Sequence, residues 1–113
     1  TMKEHSEAAA DRAASYLIDF GIRASSKAYQ YLLFALTQLQ CGTPFKTDLE
    51  LTAIHFGQKR ENVLACVRRE IAHAFRMAPD RFMDETISII PDQPPKVMEF
   101  LRLGLYEINN SGC

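Results

Sequence analysis

Apolar positions along this 113-residue chain recur at helical spacing, with little of the alternation that marks strands. Ala13, Tyr16, Leu17 and Phe20 stand at i, i+3, i+4 and i+7, and predict a first helix over residues 4–20 that stops at Gly21. Tyr29, Leu32, Leu33, Leu36 and Leu39 predict a second, over 25–40, with Ser25 or Ser26 as cap and Cys41-Gly42-Thr43-Pro44 as terminator. Thr47 and Glu50 have the spacing of a capping box, in which hydroxyl and carboxylate satisfy free backbone donors, so a short third helix is expected over 48–56. Gly57 ends it. A fourth helix is predicted over 59–77, where Pro79 stops it, and Asp80 is placed to cap a brief fifth over 81–88. The segment PDQPP (91–95) reads as a loop, with Pro95 in the first turn of a last helix to residue 109 whose stripe is Val97, Phe100, Leu101, Leu105 and Ile108. TISII (86–90) is β-prone but has no second strand to pair with. The expectation is an all-α chain, a single compact domain of about six helices containing a helix-turn-helix. Residues 13–109 form that domain, 1–12 an N-terminal extension or the start of the first helix, and 110–113 a tail.

The third and fourth helices attract attention through the spacing Ala53-x-x-x-Gly57-x-x-x-x-x-Val63. A helix-turn-helix wants a small residue for close approach, a glycine for the left-handed turn and an aliphatic anchor at those places. On a wheel of about 100° per residue, Val63, Val67, Ile71 and Ala74 share one side of the fourth helix, with Leu64 and Phe75 at its margin. Asn62, Ala65, Arg69, Ala72, His73 and Arg76 gather opposite, flanked by Glu61 and Arg68, while Lys59 and Arg60 begin the helix. Between 59 and 76 five basic residues face two acidic ones, Glu61 and Glu70, in a chain whose formal net charge is −1. Two readings fit this stripe: a major-groove reader, whose arginines meet guanine edges or phosphates and whose Asn62 meets adenine, or a solvated helix face.

Composition narrows the alternatives. At 47% hydrophobic and 24% charged residues the chain has the make-up of a globular domain, and its pI near 6.2 argues against indiscriminate coating of nucleic acid. No apolar run reaches the ~18 residues of a membrane span, and the N-terminus lacks the apolar segment of a signal peptide. Cys41, Cys66 and Cys113 form an odd set without CxxC spacing, and His5, His55 and His73 share no ligand spacing with them. Reduced thiols, a cytoplasmic location and no metal or cofactor are therefore expected. Cys66, beside the core stripe, reads as a small buried apolar group. With no Ser–His–acid set, paired carboxylates in an apolar setting or Gly-rich phosphate loop, the chain is not expected to be an enzyme. Tyr29, Tyr31 and Phe34 stand too close in sequence to share one helix face, so at least one should be exposed or cover a partner.

GIRASSKAYQYLLFAL (21–36) resembles the C-terminal DNA-binding domain of the master sporulation response regulator family of endospore-forming bacteria. The chain keeps Gly21, Ile22, Lys27, Tyr29, Tyr31, Leu32 and Ala35, with Ala28 where that family has glycine. IHFGQKRENVLACVRREIAHAF also lies without gaps along the family's helix-turn-helix, with Phe56, Val63, Arg68 and Ala74 in matching places. The resemblance runs from residue 13 to residue 107. It implies a helical effector domain that binds double-stranded promoter DNA through the fourth helix, as paired copies on adjacent sites, under control of an upstream phosphorylatable receiver domain. This chain's length is taken up by the helical domain, so an excised effector domain or a stand-alone relative is expected. Arg68 matches a family arginine at a base edge, and Arg69 replaces a histidine near the DNA backbone. Asn62 stands where an arginine is usual, while Leu64 and Ala65 stand where the family is polar or charged. The loop after the second helix is shorter, and PDQPP replaces lysines before the last helix.

These readings assign Lys59, Arg60 and Arg69 to phosphates, Asn62 and Arg68 to bases, and Arg76 to the backbone at the groove edge. The expected partners are promoter DNA, a second copy and RNA polymerase, with no membrane. The alternative is the same fold serving as a protein-interaction or regulatory module, motivated by the net charge, the lost loop lysines and Leu64.

Overall fold

In the computed structural model the backbone is described for residues 2–83 and 88–111, and side chains for 10–83 and 88–109. Among them are five α-helices: α1 (Met2–Asp19), α2 (Lys27–Gln40), α3 (Phe45–His55), α4 (Arg60–Met77) and α5 (Val97–Ser111). A single 3-10 turn, Pro79–Phe82, follows α4, and no strand occurs among the described residues. None of these helices is long and apolar enough to cross a membrane. The all-α class expected from the periodicity is what forms.

Capping explains where several boundaries fall. Ser26 caps α2: its hydroxyl accepts the Tyr29 N–H at 3.1 Å. The capping box expected at α3 does not form. That helix starts at Phe45, three residues before the predicted Asp48, with Pro44 in the cap position at φ −63° and ψ 142°. The Thr47 hydroxyl donates back to the Pro44 carbonyl at 3.3 Å, and Glu50 points to solvent. Proline's restricted φ suits this entry, and Phe45 gains cover by joining the helix: it is half-buried, with the Arg102 guanidinium 5.5 Å from its ring centre. The last helix likewise starts at Val97, two residues beyond Pro95, and the Phe100 N–H takes the Lys96 carbonyl at 2.9 Å.

The brief helix expected over 81–88 is replaced at its start by the 3-10 turn, which ends at Met83 in extended backbone; residues 84–87 lie outside the described part. Among the described residues of this segment Phe82 is buried, whereas Met83, Ile89 and Ile90 are exposed. One 3-10 turn suffices to seat that ring. Phe82 meets Phe20 at 4.9 Å and Phe75 at 5.5 Å, and Phe20 meets Phe100 at 5.7 Å. The cluster joins α1, α4 and α5.

α2 is the centre of the fold. It touches each of the other four helices, and Ala28, Tyr31, Leu32, Ala35, Leu36 and Leu39 are all buried. Against it, α5 lies very close, because Gly104 has no side chain. A Cβ there would fall 2.7 Å from Tyr16 and 2.9 Å from Leu36. Tyr16 is fixed in turn by its hydroxyl, which donates to the Phe100 carbonyl at 2.8 Å inside the core. Burial, with the Glu107 carboxylate, pushes that phenol above its ordinary range and keeps it a donor.

Gly104→Ala should therefore destabilise the fold by about 1–3 kcal/mol despite alanine's better helix propensity. Urea denaturation of wild type and variant would measure this, as a lower midpoint at unchanged slope.

Candidate nucleic-acid interface

α3 and α4 are joined by the four residues 56–59. Gly57 N–H bonds to the Ile54 carbonyl at 3.2 Å and Gln58 N–H to the Ala53 carbonyl at 2.9 Å, the paired closure that ends a helix when the next residue is left-handed. Gly57 supplies that conformation at φ 65°. Ala53 is 3% exposed and Val63 fully buried, so the small residue and the aliphatic anchor of the sequence spacing both lie in the core.

α4 begins at Arg60, one residue inside the predicted start, with Lys59 as a cap whose side chain makes no hydrogen bond to the helix. Its inner face is Val63, Val67, Ile71 and Ala74, as expected; of the two residues expected at the margin, Phe75 is buried and Leu64 half-buried. Asn62, Ala65, Arg68, Arg69 and Arg76 are exposed, as are Lys59, Arg60 and Glu61, while Ala72 and His73 are half-buried. Asn62, Arg69 and Arg76 follow one another every seven residues, nearly in line at steps of about 10 Å along the axis. Ala65 and Ala72 make a low strip beside them, and Arg68 stands on its far side. Among the described residues none of the five cations of this segment forms an ion pair; the pair that does form is Arg23 with Glu70.

Glu70 corrects the sequence picture. Read there as one of two acids offsetting the basic stripe, it is instead 4% exposed, inside the domain. Its Oε2 accepts the Arg23 main-chain N–H and Nε–H, each at 3.1 Å, and Oε1 accepts Nη2–H at 2.7 Å. Burial pushes this carboxyl up. The Arg23 hydrogen bonds and charge, with a smaller pull from His73, outweigh burial and hold it below the usual range. The outer surface of α4 thus carries five cations and a single acid, Glu61, a stronger field than the sequence count implied.

A second buried carboxylate went unrecognised in the sequence. Asp48 is fully buried on the inner face of α3 beside Leu49, Thr52 and Ala53, and neither carboxylate oxygen has a hydrogen-bond partner. The Thr52 hydroxyl donates at 2.8 Å to the Asp48 main-chain carbonyl instead. Burial alone pushes the carboxyl up to about 7.

Phe34 has a partner within the chain. It stacks on His55, with ring centres 4.1 Å apart and planes 18° from parallel, while Tyr31 is buried against Phe56 at 5.0 Å. Tyr29 is half-buried at the rim. Cys66 is half-buried beside the core and Cys41 exposed, both as free thiols, and among the described residues no group of His, Cys, Asp and Glu is arranged to hold a metal.

No protein-family model, curated protein or solved structure matches this chain.

Asp48 gives the protein a measurable pH dependence. Because the folded state binds this proton more tightly than the unfolded chain, the stability this group contributes is fully present below about pH 4 and is lost as pH rises through about 7. The decline contributed by this group should be at most about 4 kcal/mol. Thermal melts of Asp48→Asn should show that slope flattened, with a higher Tm than wild type at pH 8.

Proposed function

We propose that this chain is a sequence-specific DNA-binding domain of a transcription regulator, similar to the effector domain of the sporulation response regulator family. In this reading α3 and α4 act as a helix-turn-helix, and α4 enters the major groove. The observation that carries it is the outer face of α4: Lys59, Arg60, Arg68, Arg69 and Arg76 are exposed and form no ion pair among the described residues, in a chain of net charge −1. Surface cations on most proteins are interspersed with acids, whereas here a single carboxylate, Glu61, shares the face. Lys59, Arg60 and Arg69 hold phosphates, Arg76 meets the backbone at the groove edge, and Arg68 and Asn62 address base edges. Ala65 and Ala72 keep the surface between them low enough for close approach. Double-stranded promoter DNA is the partner; a second copy and RNA polymerase are the others the resemblance suggests.

A second reading, the same fold as a protein-interaction module, draws on α3. Ile54 is 70% exposed and Leu51 41%, an apolar pair just before the turn. Electrophoretic mobility shift with random genomic fragments separates the two. A shift at low salt that weakens at moderate salt supports DNA binding, and no shift at low salt favours the protein partner.

Arg68→Ala should cost about 1–3 kcal/mol on a selected duplex and relax specificity at one base position. Lys59→Ala should weaken all sequences alike and make the salt dependence shallower by about one unit in slope. Titrations at three or more salt concentrations check both. Unchanged affinity in the Arg68→Ala/Arg69→Ala double variant would overturn the assignment of α4.

A further inference from the structure

The apolar seat of α4 resists sliding better than rolling. Val63, Val67, Ile71 and Ala74 present aliphatic surface, and such contacts carry little directional preference. A roll of about 15° about the helix axis moves groups at the helix surface by about 1.5 Å. That displacement is enough to spoil a hydrogen bond to a base edge. Among the described residues one side-chain interaction on α4 is directional and anchored at a buried end: Glu70 is 4% exposed, while the Arg23 side chain that meets it is 59% exposed. Glu70 lies at the edge of the apolar stripe, next in sequence to Arg69, and three N–H groups of Arg23 converge on its two oxygens. One donor is the Arg23 main chain, so the turn between α1 and α2 is itself tied to α4. The other two come from a planar guanidinium, whose fork holds the carboxylate plane as well as its position.

From this geometry we infer that the Arg23–Glu70 fork sets the rotation of α4 about its own axis, and so aligns Arg68 and Asn62 with base edges. The inference rests on the DNA-binding reading above. Arg23 acts here as a positioning residue, through Glu70, without touching DNA. The fork thereby governs discrimination between sequences more than attachment to the DNA backbone.

The test uses Arg23→Lys, which keeps the charge but loses the fork, and Glu70→Gln, which keeps the size but loses the charge. Melting curves first establish that each is folded at the assay temperature. Affinity is measured for a duplex enriched from a random pool by the wild type and for a scrambled duplex, over a range of salt, and α4 amide hydrogen exchange is followed without DNA. Both variants should lose about tenfold on the enriched duplex, with the scrambled duplex and the salt slope unchanged and α4 amides exchanging faster. A shallower salt slope in a variant of Arg23 alone, with both duplexes weakened alike, would make Arg23 a phosphate contact and overturn the proposal. Wild-type discrimination in both variants would overturn it too, leaving the fork a role in stability. If wild type distinguishes neither duplex, the DNA reading itself fails and the alignment claim with it; hydrogen exchange then still reports whether the fork restrains α4.

Discussion

Burying the aliphatic stripe of α4 is the constraint from which the arrangement of its charges follows. Val63, Val67, Ile71 and Ala74 can leave water only by lying against α2 and α3, and once they do, the helical repeat turns Asn62, Arg69 and Arg76 outward. α2 makes the seat possible because it is apolar on most of its circumference and can serve four neighbours at once. The basic face is thus a consequence of core packing rather than a separate feature, and a fault in the core would reach it.

The two buried carboxylates show how differently one interior treats the same chemical group. Glu70 has an arginine from another segment and remains ionised; Asp48 has no partner and holds its proton to near neutrality. Burial penalises both anions, and partnering alone separates them. Each lies on one of the two helices proposed to form the DNA-reading unit, so the charge state inside that unit depends on solution conditions and on the loop that carries Arg23.

Much of the fold was legible because helical periodicity is a local signal. α2 and α4 appear at their predicted places to within two residues, and Ser26 and Gly57 do what short-range capping rules ask. The errors share a cause in tertiary competition. Thr47 and Glu50 satisfy the capping pattern, but Phe45 gains more by joining the helix and packing near Arg102. Asp80 could open a helix, yet the chain takes a 3-10 turn there that seats the Phe82 ring against Phe20 and Phe75. Of the candidate interface, the exposed cations could be placed on a helical wheel. Glu70 could not be assigned correctly, since its partner stands 47 residues away. Asp48 did carry a readable signal: four residues before Thr52, and next to Leu49 with Ala53 following, it shares the register of the inner face of α3.

The ring cluster around Phe20 has a bearing on biosynthesis. Tyr16 of α1 and Phe20, just after that helix, rest on Phe100, which is synthesised 84 and 80 residues later. Until Phe100 has been made, these two rings lack one wall of their cluster, and the Tyr16 hydroxyl lacks its acceptor, the Phe100 carbonyl. Such long-range closure defers consolidation of the cluster until α5 has been made. A chain lacking α5 would leave this aromatic surface open to water and to association with other chains.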